Sequence, residues 1–171
     1  GMTPATQAEY KSCGVHCQKA AIPDTIPSDL HGQMVPPNTV KKIYYWAESL
    51  KAMRQEMESK IDARIILGGR VAGFKGYMPG LYEEAINAAN SKHPIYLLGG
   101  FGGATLRLIK LIKGETTSEE MFGECCSYSS YQEFVSYLNS KNIEINLKAL
   151  EVFANNLAIL NNGLSEDENK R

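Results

Sequence analysis

No apolar run in the chain comes near the ~20 residues that span a bilayer, which removes a transmembrane helix and a membrane partner from the expectations. A basic stretch followed by an apolar one is also missing at the N-terminus, so no secretory leader is read and a cytoplasmic location is expected. Charge of one sign is lacking too. The 18 Lys and Arg residues against 19 Asp and Glu leave a formal charge of −1. Such a balance gives no whole-molecule field to draw in nucleic acid, and none is expected as a partner. Cysteine is sparse: Cys13, Cys17, Cys125 and Cys126 do not form a disulfide framework, because neighbouring cysteines rarely bridge each other. Cys13, His16 and Cys17 make a local C-x-x-H-C cluster, but a closed zinc site needs a second pair at regular spacing. Cys125-Cys126 is not such a pair, so the thiols read as reduced; neither a metal nor a cofactor is expected.

What is present suits one compact domain: 171 residues, 43% of them hydrophobic. Gly1 before Met2 reads as a tag remnant. Residues 1–37 read as an irregular N-terminal arm. Thr3-Pro4 starts a short helix to about Lys19, and Pro23, Pro27, Gly32, Pro36 and Pro37 then break both helix and strand, leaving an arm laid over something else. Residues 38–171 read as a single domain. Asn38 or Thr39 caps a long helix with Val40, Ile43, Ala47, Leu50, Met53 or Arg54, and Met57 on one face.

The centre, residues 61–114, reads as a β-α-β-α unit of a parallel sheet. Ala63–Leu67 and Pro94–Leu98 are short apolar runs, each ended by a glycine pair. Pro79-Gly80 opens a helix to about Asn90 between them, and a further helix runs from Ala104 to Lys113 with Gly114 closing it. Residues 115–164 form a helical extension. Ser118 precedes Glu119-Glu120, Ser129 or Ser130 caps one helix, and Asn146 caps another that ends at Asn162-Gly163. Ser165–Glu168 matches a capping box with only three residues behind it, as in a chain cut short or, equally, a frayed polar tail. Two strands are too few for a parallel sheet, which needs cover on both faces. A homodimer is expected on that ground.

The glycine loops carry the chemistry. In open α/β sheets, ligands bind beyond the carboxyl ends of the strands. Gly99, Gly100, Phe101, Gly102, Gly103, Ala104 and Thr105 lead directly into a helix. Few Cβ atoms stand in the way there, and the helix offers unpaired amides and a positive dipole end for an anion. This reading requires the amides between Leu98 and Leu106 to be open. No Gly-Lys-Ser/Thr follows, so the loop is not a Walker A motif, and Thr105 spoils a dinucleotide fingerprint. The first loop, Gly68 to Gly80, is long for its type. Gly68, Gly69, Pro79 and Gly80 frame it, Arg70 and Lys75 offer positive charge, and Phe74 and Tyr77 offer rings for stacking. Glu83 and Glu84 follow as candidate catalytic carboxylates; the plainer reading is that acids favour a helix's first turn.

The stretches Asp62-Ala-Arg-Ile-Ile-Leu-Gly-Gly-Arg-Val-Ala-Gly-Phe-Lys-Gly-Tyr-Met-Pro-Gly-Leu-Tyr-Glu-Glu-Ala and Pro94-Ile-Tyr-Leu-Leu-Gly-Gly-Phe-Gly-Gly-Ala-Thr resemble the SLOG superfamily. That group includes the Lonely Guy phosphoribohydrolases and the Smf proteins. The match is closest to bacterial SLOG modules that handle nucleotide-derived signals, and covers residues 40–114; the tail from Asn162 is weakly similar to the group's last helix. The resemblance implies a Rossmann-like three-layer α/β/α fold with a short, incomplete parallel sheet and a nucleotide pocket over the second glycine loop. Lonely Guy enzymes carry Pro-Gly-Gly-x-Gly-Thr-x-x-Glu on that loop. Aligned on the glycines, their proline is Leu98 here, their threonine Gly103 and their catalytic glutamate Leu106. Leucine cannot stabilise the positive charge that develops when an N-glycosidic bond breaks.

Three functions stay open on the sequence. The first is binding of a nucleotide or nucleotide-derived ligand. The second is hydrolysis or transfer at an N-glycosidic bond, with Glu83 or Glu84 as the carboxylate. The third is a non-catalytic interaction subunit.

Overall fold

The computed structural model describes residues 4–15 and 17–157. The expected starting cap at Thr3, His16 of the cysteine cluster, the helix end at Asn162-Gly163 and the Ser165–Glu168 capping box lie outside the described residues. The elements run α1 (Pro4–Ser12), α2 (Val40–Glu58), β1 (Arg64–Leu67), α3 (Gly80–Asn90), β2 (Ile95–Leu98), α4 (Gly103–Ile112), α5 (Ser118–Cys126), α6 (Ser129–Ser140) and α7 (Lys148–Leu157). Short 3-10 turns stand at Ser28–Leu30 and Gly99–Phe101.

Most boundaries follow local chemistry. Thr39 caps α2 by accepting the Lys42 N–H. Thr117 and Glu120 form a reciprocal capping box on α5. The Asn146 side chain accepts the Ala149 N–H at the start of α7. Helix α1 is shorter than expected and ends at Ser12 rather than near Lys19. Gly14 turns left-handed at φ 78°, and Val15 N–H bonds back to Tyr10 O at 2.9 Å, which stops the helix.

β1 and β2 pair in parallel, in the register Arg64–Ile95, Ile65–Tyr96, Ile66–Leu97 and Leu67–Leu98. They form the only sheet among the described residues. Helix α3 makes the crossover between them. One sheet face carries Ile66 and Ile95, packed on Tyr82, Ala85 and Ala88 of α3, Leu108 of α4 and Phe153 of α7. Burying a side chain of that size contributes about 1.5–3 kcal/mol. A second cluster joins Ala47 of α2 to Cys125 of α5 and to Tyr131, Phe134 and Leu138 of α6. The arm before α2 lies along it: Ala21 N–H donates to Glu56, Thr25 Oγ1 to Glu48, and Trp46 Nε1 to Val35 O. This is a mixed α/β, Rossmann-like arrangement. The sheet's other face is bare: Ile65 is 64% exposed, Leu67 47%, Tyr96 43% and Leu98 46%.

Candidate functional site

The two glycine loops meet at the carboxyl ends of β1 and β2, and they bond to each other. Ala104 N–H donates to Gly69 O at 3.0 Å and Thr105 N–H to Gly68 O at 2.9 Å. The Thr105 hydroxyl, fully buried, donates to the same Gly68 O at 3.0 Å. Gly102 N–H closes the 3-10 turn on Gly99 O at 2.9 Å, and Leu106 N–H reaches Gly102 O at 3.3 Å. This corrects the expected anion cradle. The leading amides of α4 at Ala104 and Thr105 are spent on the first loop's carbonyls, and Thr105 has no hydroxyl to offer. Gly103 sits at φ 63°, and a Cβ there would come within 2.9 Å of the Gly68 carbonyl carbon. Its glycine serves the close approach of two backbones.

Gly100 is different. A Cβ there would meet nothing within 4 Å, and its φ lies outside the left-handed region. Neither packing nor strain inside the chain calls for glycine at this position. Its neighbour Phe101 is 69% exposed and lies over Gly68. Arg70, next to Gly69, is exposed and has no hydrogen-bond or ion-pair partner among the described residues. Gly100, Phe101 and Arg70 are thus exposed at this sheet end.

The rings of the first loop are committed elsewhere. Phe74 packs edge-on against Tyr131, with centroids 4.9 Å apart. Tyr77 donates its hydroxyl to Glu48 at 2.5 Å and packs beside Phe134. The expectation that these rings stack on a ligand gives way to a role in the second core. Pro79 is fully buried as the N-cap residue of α3, and Gly80 lies against the Arg54 guanidinium.

Glu83 and Glu84 enter an ion network rather than the sheet's ligand end. Glu83 pairs with Arg54 Nη1. Glu84 faces Arg54 Nε at 3.5 Å and Arg64 Nη1 at 2.7 Å. Arg64 Nη2 and Nε grip Glu58 Oε2 at 2.6 and 3.1 Å, and His93 Nδ1 meets Glu58 Oε1 at 2.7 Å. The network ties α2, β1, α3 and the turn before β2 together. Burial pushes the Glu83 carboxyl above its usual range, with the Arg54 charge and hydrogen bond opposing. At 3.5 Å and poor alignment the Arg54 Nε contact is an ion pair without a hydrogen bond, and that nitrogen is buried and otherwise unsatisfied.

The sequence reading missed this network. It put Arg54 in an apolar stripe as an alternative to Met53 and gave Glu58 and Arg64 no role. The usable signal was a charged residue at a core-facing position of a helix, and another, Arg64, opening an apolar strand. Both are buried, as is Glu58. It also missed a cleft of about 520 Å³ between α2, α3 and the segment before α7, lined by Tyr44, Glu48, Lys51, Tyr77, Glu83 and Glu144 among others.

Cys13 and Cys17 are exposed, and no group of three or more His, Cys, Asp or Glu residues among the described residues is placed to hold a metal. No helix among them is long and apolar enough to cross a membrane. Neither the curated proteins nor the solved structures contain a match to the chain. The family model described as SLOG cluster2 does match, over residues 1–171, and the chain therefore belongs to the SLOG superfamily.

Proposed function

We propose that the chain binds a nucleotide or nucleotide-derived ligand at the exposed rim of the two glycine loops. The phosphate sits against Arg70 and the backbone at Gly100, and the base lies on Phe101. Family membership supports the ligand class, since this superfamily consists of nucleotide-related Rossmann-like domains. The observation that carries the placement is Gly100, a glycine with neither a packing nor a conformational reason inside the chain. A ligand approaching the backbone supplies that reason. Arg70 adds an unpaired guanidinium, whose fork of donors suits a phosphate.

The large cleft is a poorer place for such a ligand. Glu48 and Glu144 line it against one ammonium, Lys51, and its Glu83 is already paired with Arg54, so a phosphate would meet net negative charge. Binding is favoured over glycosidic hydrolysis because Glu83 and Glu84 are held by Arg54 and Arg64. Isothermal titration with a panel of nucleoside mono- and diphosphates tests the proposal. The expected result is binding to at least one, weakened by Phe101→Ala. Heat from none of them, or binding untouched by Phe101→Ala and Arg70→Ala together, overturns it.

A further inference from the structure

The cleft of about 520 Å³ between α2, α3 and the segment before α7 falls within the ~300–1,000 Å³ typical of small-molecule sites. Its walls follow from helix periodicity. Glu48, Lys51 and Gln55 stand at i, i+3 and i+7 on α2, and Glu83, Asn87 and Asn90 at i, i+4 and i+7 on α3, so each helix turns one polar ridge to the opening. Met78, Ile86, Ile143 and Ile145 give the same space an apolar lining. Its charges are unevenly matched. Glu83 is taken by Arg54. Glu48 accepts only hydroxyl donors, from Tyr77 and from Thr25 at 3.0 Å, so no cation answers its charge. Glu144 is exposed, and its carboxylate has no hydrogen-bond or ion-pair partner among the described residues. The Lys51 ammonium pairs with neither carboxylate. It lies over the ring of Tyr77, 5.6 Å from the centroid.

A ring face beside a carboxylate attracts an ammonium twice over, through the ring quadrupole and through the negative charge. At Tyr77 and Glu48 the chain sets its own lysine on that ring. We infer that the cleft binds a linear aliphatic polyamine. One ammonium takes the place of Lys51 at Tyr77 and Glu48, another meets Glu144, and the methylene chain between them lies on Ile86 and Ile145. Charge and shape select this class. An anionic ligand is repelled by Glu48 and Glu144. An inorganic cation, which seeks oxygen ligands, gains nothing from the isoleucines. An amine with one ammonium satisfies one carboxylate and leaves the other. The whole chain carries a formal charge of only −1, so the attraction belongs to the cleft and not to a general field. The site is also separate from the glycine-loop rim, because none of Arg70, Gly100 and Phe101 lines it.

Isothermal titration of the full chain with spermidine, and with n-butylamine as the single-ammonium probe, tests the inference. Spermidine is expected to bind, and n-butylamine about 10-fold more weakly or worse, since it forgoes one charge-assisted contact. Glu144→Gln changes an exposed, unpaired side chain, so it keeps the wild-type circular dichroism and weakens spermidine by about 10-fold. Lys51→Ala is the sharper variant. It takes a competing cation out of the cleft, so spermidine binds about 2- to 5-fold more tightly. Phe101→Ala leaves spermidine binding unchanged, which keeps this result apart from the nucleotide reading. No spermidine binding by either the wild type or Lys51→Ala overturns the inference. So does n-butylamine binding as well as spermidine, Glu144→Gln binding spermidine as the wild type does, or Lys51→Ala binding it no more tightly.

Discussion

Arg64 Nη2 lies 2.6 Å from Glu58 Oε2, joining the first residue of β1 to the last residue of α2. Both side chains are more than nine-tenths buried. A charge withdrawn from water this far is tolerated only while its partner stands. Arg64→Met leaves Glu58 with His93 alone and Glu84 with Arg54 alone. We expect a loss of about 3–5 kcal/mol, read from urea denaturation. The double variant Arg64→Met with Glu58→Leu is expected to recover part of that loss, because it removes the stranded charge. A double variant less stable than the sum of the two singles contradicts this account.

Glu83 gives the network a pH signature. Its folded-state carboxyl is raised above the ordinary 4.5, burial outweighing Arg54. Between these two values the folded chain holds a proton that the unfolded chain has released. The contribution of Glu83 is therefore present in full below about 4.5 and declines as pH rises through the raised value. Glu83→Gln cannot titrate. The stability of the wild type relative to Glu83→Gln should fall as pH rises from about 4.5 through the raised value, followed by urea midpoints at each pH. A flat or rising difference rules this out.

The glycines of the second loop separate structure from ligand. Gly103→Ala forces a Cβ toward the Gly68 carbonyl at a positive φ. It should cost about 1–3 kcal/mol from backbone strain alone, and more from the overlap. Gly100→Ala meets open space and should leave the thermal midpoint unchanged. Its effect should appear only in nucleotide titrations, as weaker binding. If Gly100→Ala binds every nucleotide as the wild type does, the loop's rim is not the ligand surface.

The strands, the crossover helix and most helix starts were legible because their causes are local. Ala63–Leu67 and Pro94–Leu98 are apolar runs ended by glycine pairs, and Thr39 and Asn146 are capping residues at fixed offsets. The ligand end was legible only in part. Four glycines before a helix look alike whether they cradle an anion or let two loops touch. Telling Gly103 from Gly100 needs the position of Gly68, 35 residues earlier in the chain, which no local pattern encodes. The same limit hid the roles of Phe74, Tyr77, Glu83 and Glu84. Their partners Tyr131, Phe134, Arg54 and Arg64 are set by how α2, β1 and α6 pack on α3 and its loop.

Arg70 offers the sharpest test of the ligand reading, because its side chain has no structural task to confuse the result. It makes no hydrogen bond or ion pair with any described residue, so Arg70→Ala should leave the urea midpoint within error. A charge-assisted hydrogen bond to a phosphate is worth about 1.5–3 kcal/mol, so the same variant should weaken nucleotide binding by about 10- to 100-fold. Arg70→Lys keeps the charge and loses the two-pronged geometry, and should fall between the two. The parent nucleoside, which lacks the phosphate, should bind wild type and Arg70→Ala equally. Because Arg70 is exposed, the wild-type advantage should shrink as salt is raised. Equal affinity of all three proteins for a nucleotide that does bind would move the phosphate away from the first loop and leave Phe101 and Gly100 without their charged partner.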